Sequence, residues 1–254
     1  MANSPTNGVP DFDFEHDPTW RIFRIMSEFV DGFSFLANIQ KSVTFFGSAR
    51  LAEDNPYYIQ ARTLAGKLAE RGYTVVTGGG PGIMQGANQG AFEAGGESVG
   101  LNIQLPNEQR INPYVKRSMS FNYFFSRKVM LNFSAEAFIF FPGGYGTLDE
   151  FFDLVTAVQT GKHERNVPIL MVGKAYWEPL TTWMHDVLLE QLHTVSESDL
   201  KIWTLLDDTD EAVQLVEAGV ASQAEAWVKQ KGHTRKTPND KLKQATRPMA
   251  KGEQ

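Results

Sequence analysis

The chain contains no cysteine. That excludes disulfides, thiol nucleophiles and thiolate metal sites, and it fits a reducing, cytoplasmic setting. Long apolar runs are also missing. No uninterrupted apolar stretch approaches ~18 residues, so neither a membrane span nor a membrane partner is expected. The first 17 residues lack the basic start and apolar stretch of a secretory leader. Positive charge is in deficit: 24 Lys and Arg against 30 Asp and Glu leave a net charge of -6. A general nucleic-acid binder needs a cationic face, so no nucleic-acid partner is expected. Histidines number only five, and their spacing resembles neither a metal site nor a Ser-His-Asp arrangement. Metal-dependent hydrolysis is therefore disfavoured, and no metal ligand set is predicted.

What is present suits a globular core. The 254 residues, 42% of them hydrophobic, allow one sizeable α/β domain or two small ones. No internal repeat or domain boundary stands out. The simplest organisation is one domain over 18–228 between two disordered tails, at 1–17 and 229–254. The C-terminal tail sets Lys229, Lys231, Arg235, Lys236, Lys241, Lys243, Arg247 and Lys251 among polar residues. It reads as solvated chain, with a weak nucleic-acid or partner contact as the sharper alternative.

From Trp20 to Ile39, apolar residues recur at helical spacing: Ile22, Phe23, Met26, Phe29, Val30, Phe33 and Leu36. This helix is expected to pack on the main domain or on a second subunit. It lacks the dense Lys/Arg face of a membrane-surface helix. Strands and helices then alternate. Strands are predicted at 42–46, 73–77, 98–105, 135–141, 167–172 and 202–206. Helices are predicted at 55–71, 83–94, 125–133, 147–160, 176–191 and 209–221. Buried-type Val, Ile and Phe runs alternating with helices indicate a parallel sheet covered on both faces.

Three glycine loops follow strands and lead towards helices: Gly47 to Arg50, Gly78 to Met84, and Pro142 to Thr147. Consecutive backbone N–H groups at a helix start form an anion site, and glycine lets a ligand approach them. The loops match neither the Gly-x-Gly-x-x-Gly dinucleotide fingerprint nor the P-loop. Any one of them could be a plain tight turn; three on one sheet edge favour phosphate binding. Thr147 and Glu150 leave two options open. Thr-x-x-Glu is a capping box, and Glu150 is equally placed to reach a ribose beside a phosphate held by the turn. Arg127 and Lys128 form a basic pair on an otherwise apolar helix, which is costly unless they face solvent or an anion. Glu108 follows the third strand, with exposed loop charge as its plainer reading. Phe121, Tyr123 and Phe124 are candidates for a base pocket, though core packing would use most of them.

The segment Pro142 to Glu150, PGGYGTLDE, matches the PGGxGTxxE motif of the LOG family. Gly78 to Met84 resembles that family's second-strand loop, and Ser126 to Met130 resembles its Arg-Lys-x-x-Met element. The resemblance spans roughly Lys41 to Leu206. The Leu105 to Tyr114 segment and the long N-terminal helix are similar to a larger bacterial branch. The family comprises cytokinin riboside 5′-monophosphate phosphoribohydrolases and related nucleotide nucleosidases. The resemblance implies a single-domain Rossmann-like doubly wound parallel sheet in three α/β/α layers. It also implies a nucleoside 5′-monophosphate substrate, no cofactor, no metal, and a homo-oligomer. Arg127 and Glu150 fall on the family's catalytic pair. Gly47, Ser48, Gly79, Gly80, Glu108, Lys128, Gly143, Gly144, Tyr145, Gly146, Thr147, Asp149 and Thr156 fall on substrate-binding positions. Asp149 stands where many relatives have Glu. A carrier of nucleotide or molybdenum cofactor on the same fold is the alternative. An amino-acid decarboxylase would need a Schiff-base lysine, and none sits in a suitable apolar, glycine-flanked context.

Overall fold

Among the described residues, seven short segments form one sheet, and its five inner strands bury every residue. The computed structural model describes residues 18–39, 41–104, 111–133, 135–163 and 167–231. The expectations placed on Glu108, on the 1–17 tail and on the basic tail beyond 231 lie outside them. The strands are β1 (Ser42–Phe46), β2 (Thr74–Thr77), β3 (Ser98–Ile103), β4 (Arg117–Phe121), β5 (Ala135–Phe140), β6 (Ile169–Val172) and β7 (Thr204–Leu206). The helices are α1 (Pro18–Leu36), α2 (Pro56–Glu70), α3 (Ile83–Glu93), α4 (Phe124–Phe133), α5 (Tyr145–Gln159), α6 (Lys174–Trp183) and α7 (Thr209–Lys231).

All neighbouring strands are parallel, in the order β4-β3-β2-β1-β5-β6-β7. The chain winds outward from β1 to β4, then crosses back to lay β5 on the other side of β1. Connections on the two sides of this reversal diverge, which opens a crevice at the strand C-termini. That crevice lies where β1 and β5 meet.

Alternate residues of each strand feed opposite faces. In β1, Val43 and Phe45 join the core under α2, α3 and α7, while Phe46 joins the core under α1, α4, α5 and α6. Thr44 points to the second face and donates its hydroxyl to the Leu131 carbonyl of α4 at 3.1 Å. The Rossmann-like three-layer α/β/α fold follows from these two cores. Asn55 caps α2 by accepting from the Tyr57 N–H at 2.9 Å. Gly90 of α3 lies so close to the Arg62 carbonyl of α2 that any Cβ there would overlap it.

Three elements differ from the sequence expectation. β4 was not predicted: its residues, RSMSF, alternate half-buried and exposed along the sheet edge, with too few apolar residues to register as a strand. The helix expected at 176–191 is α6 followed by a π-helical stretch, Met184–Gln191. The helix expected to end at Ala221 runs on to Lys231, because Ala, Gln, Glu and Lys are good helix formers. α1 meets its expectation in part. It turns Glu28, Gly32 and Leu36 into the domain, with Phe29 and Phe33 packed beside them, yet leaves Trp20, Ile22, Phe23, Met26 and Val30 exposed.

Candidate active site

The crevice is a cleft of about 640 Å³, within the ordinary range for small-molecule sites. Its walls come from Gly47 to Arg50 after β1, Gly78 and Met84 around the second loop, Phe124 and Arg127 of α4, and Gly144 to Glu150. The three glycine loops therefore do meet.

They meet because they are stitched together. The Ser48 N–H donates to the Pro142 carbonyl at 3.0 Å, and the Ser48 carbonyl accepts from the Ile83 N–H at 2.9 Å. Gly82, at φ +68°, lies so close to that same Ser48 carbonyl that a Cβ would overlap it. Gly47 has no room for a Cβ against Ile83. Gly79 and Gly80 do not line the cleft. They turn towards a buried network, in which the Asn112 side chain donates to Gly80 at 3.0 Å and to Asn88 at 2.9 Å. The Gly79 N–H donates to Thr77 at 2.8 Å in the same network. Gly78 takes the cleft position instead.

α5 starts at Tyr145, with Gly144 as its N-cap and no side chain capping it. Thr147 is thus the third helical residue, 6% exposed, and Glu150 is the sixth. A capping-box glutamate must sit third to reach back to the cap. The capping-box alternative for Thr147 and Glu150 is therefore overturned, because the helix begins two residues before its expected start at Thr147. The uncapped first turn, with its inherent N–H donors, forms one wall of the cleft. Its glycines serve different ends. A Cβ on Gly143 would overlap Thr147, and Tyr176 donates its hydroxyl to the Gly143 carbonyl at 2.5 Å. At Gly144 and Gly146 a Cβ would meet nothing, so these two keep the cleft open rather than satisfy packing.

Arg127 is held at the opposite wall. Its Nε donates to the Leu101 carbonyl at 2.9 Å, and its guanidinium fills the space that Gly78 leaves by lacking a side chain. Burial pulls its pKa down, and the charge of Glu150 partly restores it. Burial also pushes Glu150 up to about 7, against the opposing pull of Arg127 and Lys128. One Glu150 carboxylate oxygen, Oε2, is buried without a hydrogen-bond partner. An acid with an open lone pair and a pKa near neutrality, beside a half-buried cation, has the environment that acid–base chemistry needs.

Lys128 is engaged elsewhere. It pairs with Asp149 at 2.9 Å and Asp153 at 3.8 Å, tying α4 to α5 from outside the cleft wall. Burial lowers its pKa, but the Asp149 hydrogen bond and the nearby carboxylates outweigh that and raise it overall. Thr156, exposed two turns further along α5, is not on the cleft wall either. Of the aromatic candidates, Phe121 is fully buried in the core and Tyr123 stacks on Phe125 at 5.3 Å, while Phe124 is 63% exposed and lines the cleft. Met84 and Arg50, which sequence reasoning did not single out, also line the cleft. A cation closing the first glycine loop was the available signal for Arg50.

A family model described as possible lysine decarboxylase matches residues 84–216. A protein of Oryza sativa subsp. japonica named probable cytokinin riboside 5′-monophosphate phosphoribohydrolase is 30% identical over 156 residues, 61% of this chain and 73% of that one. A cytokinin riboside 5′-monophosphate phosphoribohydrolase of Mycobacterium marinum is 30% identical over 166 residues, 63% of this chain and 84% of its own. Among solved structures, the molybdenum cofactor carrier protein of Chlamydomonas reinhardtii superposes with TM-score 0.54 at 20% identity, covering 72% of this chain and 99% of that chain. That likeness is one of fold. The sequence relatives, the family model and the PGGYGTLDE turn at the mouth of β5 agree, and the chain belongs to the LOG family.

Proposed function

We propose that the chain hydrolyses the N-glycosidic bond of nucleoside 5′-monophosphates, AMP or a cytokinin riboside 5′-monophosphate, to free base and ribose 5-phosphate. The observation that carries this is Glu150: a half-buried carboxylate whose Oε2 is buried and unpartnered, raised to about 7, one and a half turns inside a helix whose uncapped start lines the same cleft. The phosphate takes the first turn of α5, with Arg50 at the rim. The sugar then lies along α5 towards Glu150, and Phe124 and Met84 offer apolar surface to the base.

As the C1′–N bond breaks, its electron pair leaves with the base and positive charge grows on C1′ and O4′. Ionised Glu150 stabilises that charge and takes a proton from the water that adds to C1′. The proton that Glu150 accepts then passes to the departed base, so water's hydroxyl ends on C1′, its proton on the base, and Glu150 is ionised again. Arg127 remains cationic throughout; it orients the nucleotide and stabilises negative charge on the departing base. Phosphate binding is remote from C1′, so its energy orients the sugar.

A decarboxylase is poorly supported. Among the described residues no lysine lines the cleft, and nearby Lys128 is held protonated by two carboxylates. The chain is further proposed to work as a homo-oligomer, with the exposed apolar face of α1 as a candidate contact. A panel of nucleoside 5′-monophosphates, assayed by chromatography for free base and ribose 5-phosphate, tests the activity. Binding without release of base from any member would favour a carrier role instead.

A further inference from the structure

Glu28 of α1 is a carboxylate only 6% exposed, far from the cleft-lining segments in sequence and outside the span of the family model. A buried carboxylate is tolerated only when its oxygens are hydrogen-bonded. Three donors meet it: the Asn122 N–H at 2.6 Å, the Asn122 side-chain amide at 2.9 Å, and the Ser126 hydroxyl. All three belong to the entry and first turn of α4. That helix has no acidic residue in its own first turn. Glu28 therefore supplies from another element the anion that a helix N-terminus favours. Ser126 immediately precedes Arg127, whose guanidinium must thread between the Leu101 carbonyl and Gly78 to reach the cleft.

We infer that Glu28 is a positioning residue for the reaction: it locks the start of α4 so that Arg127 faces the cleft at the correct angle. This rests on the proposed nucleotide chemistry. It makes the N-terminal helix part of the catalytic apparatus rather than a covering for the sheet. Glu28 itself touches no substrate. Its influence passes through Ser126 and Asn122 into α4, and should therefore vanish when Arg127 is absent.

The test is a double-mutant cycle on the full chain, using Glu28→Ala, Arg127→Ala and the double variant. Turnover of AMP and its binding by calorimetry are measured for each, with Glu28→Gln as the conservative variant. Displacing a reacting group by about an ångström costs ~10²-fold, so Glu28→Ala should lower kcat by ~10-fold or more. KM should change much less, and Glu28→Gln should recover most of the loss. In the Arg127→Ala background, Glu28→Ala should cause no further loss. Equal losses in both backgrounds would overturn the inference and leave Glu28 a structural residue only. If the wild type binds AMP without cleaving it, the proposed activity fails, and the same cycle in binding affinity decides the role of Glu28. A wild type that neither binds nor cleaves any nucleotide overturns both.

Discussion

Replacing Glu150 by Gln removes a charge and keeps the shape. Burial raises the folded-state pKa from 4.5 to about 7. The folded chain thus binds this proton more tightly than the unfolded chain does. The resulting stability is complete below the unfolded value and is lost as pH rises through 7. At ~1.4 kcal/mol per unit, the full shift corresponds to about 3 kcal/mol. Contact with solvent across the cleft reduces this, and ~1–2 kcal/mol is the expected residue of the effect. Denaturant titrations should show Glu150→Gln equal to wild type near pH 4.5 and more stable at pH 8. A helix-capping glutamate would give the opposite sign, a loss of ~1 kcal/mol on replacement. The same variant should bind AMP within about tenfold of wild type but turn it over ~10²-fold more slowly. Destabilisation at pH 8 would refute the burial argument, and near-normal release of adenine would refute the catalytic one.

Other expectations follow from the same geometry. In the wild type, kcat/KM for AMP should rise with pH to a plateau, with a midpoint near 7; Arg127→Ala should move that midpoint upward, since Arg127 holds the Glu150 pKa down, and a pH–rate series on both chains reads it. Gly146→Ala should leave the melting temperature unchanged or raised, because the new Cβ meets no protein atom, while weakening AMP binding measured by calorimetry. Gly143→Ala should instead lower stability by ~1–3 kcal/mol in denaturant titrations, because its Cβ overlaps Thr147. Gly90→Ala should be as damaging by the same assay without touching the cleft, since it forces α3 away from the Arg62 carbonyl of α2.

The parallel sheet was legible because its central strands are buried on both faces. Runs such as SVTFF and AEAFIF therefore announce themselves, and the helix stripes between them do the same. β4 was not legible, since an edge strand with one sheltered face carries only Met119 and Phe121 as apolar signal. The site divided in the same way. Glycine loops after strands located the cleft, and the motif order singled out Arg127 and Glu150. Which glycine faces the cleft was not legible, because Gly78, Gly79 and Gly80 read alike and differ only in backbone direction. Sequence spacing also left Glu150 between capping and chemistry. The start of α5 at Tyr145 separates them, and no residue type marks that start, because Gly144 caps without a side chain. Glu28 was invisible for a further reason. Glu28, like Asp31 one turn on, reads as the solvent face of α1 until α4 is seen packed over it.

The most direct measurement is a product analysis of AMP incubated with the full chain, run beside Glu150→Gln. Adenine and ribose 5-phosphate are expected in equal amounts from the wild type, with no adenosine or inorganic phosphate, and almost none of either product from the variant. Intact AMP that remains bound, or adenosine with inorganic phosphate, would contradict the proposed activity.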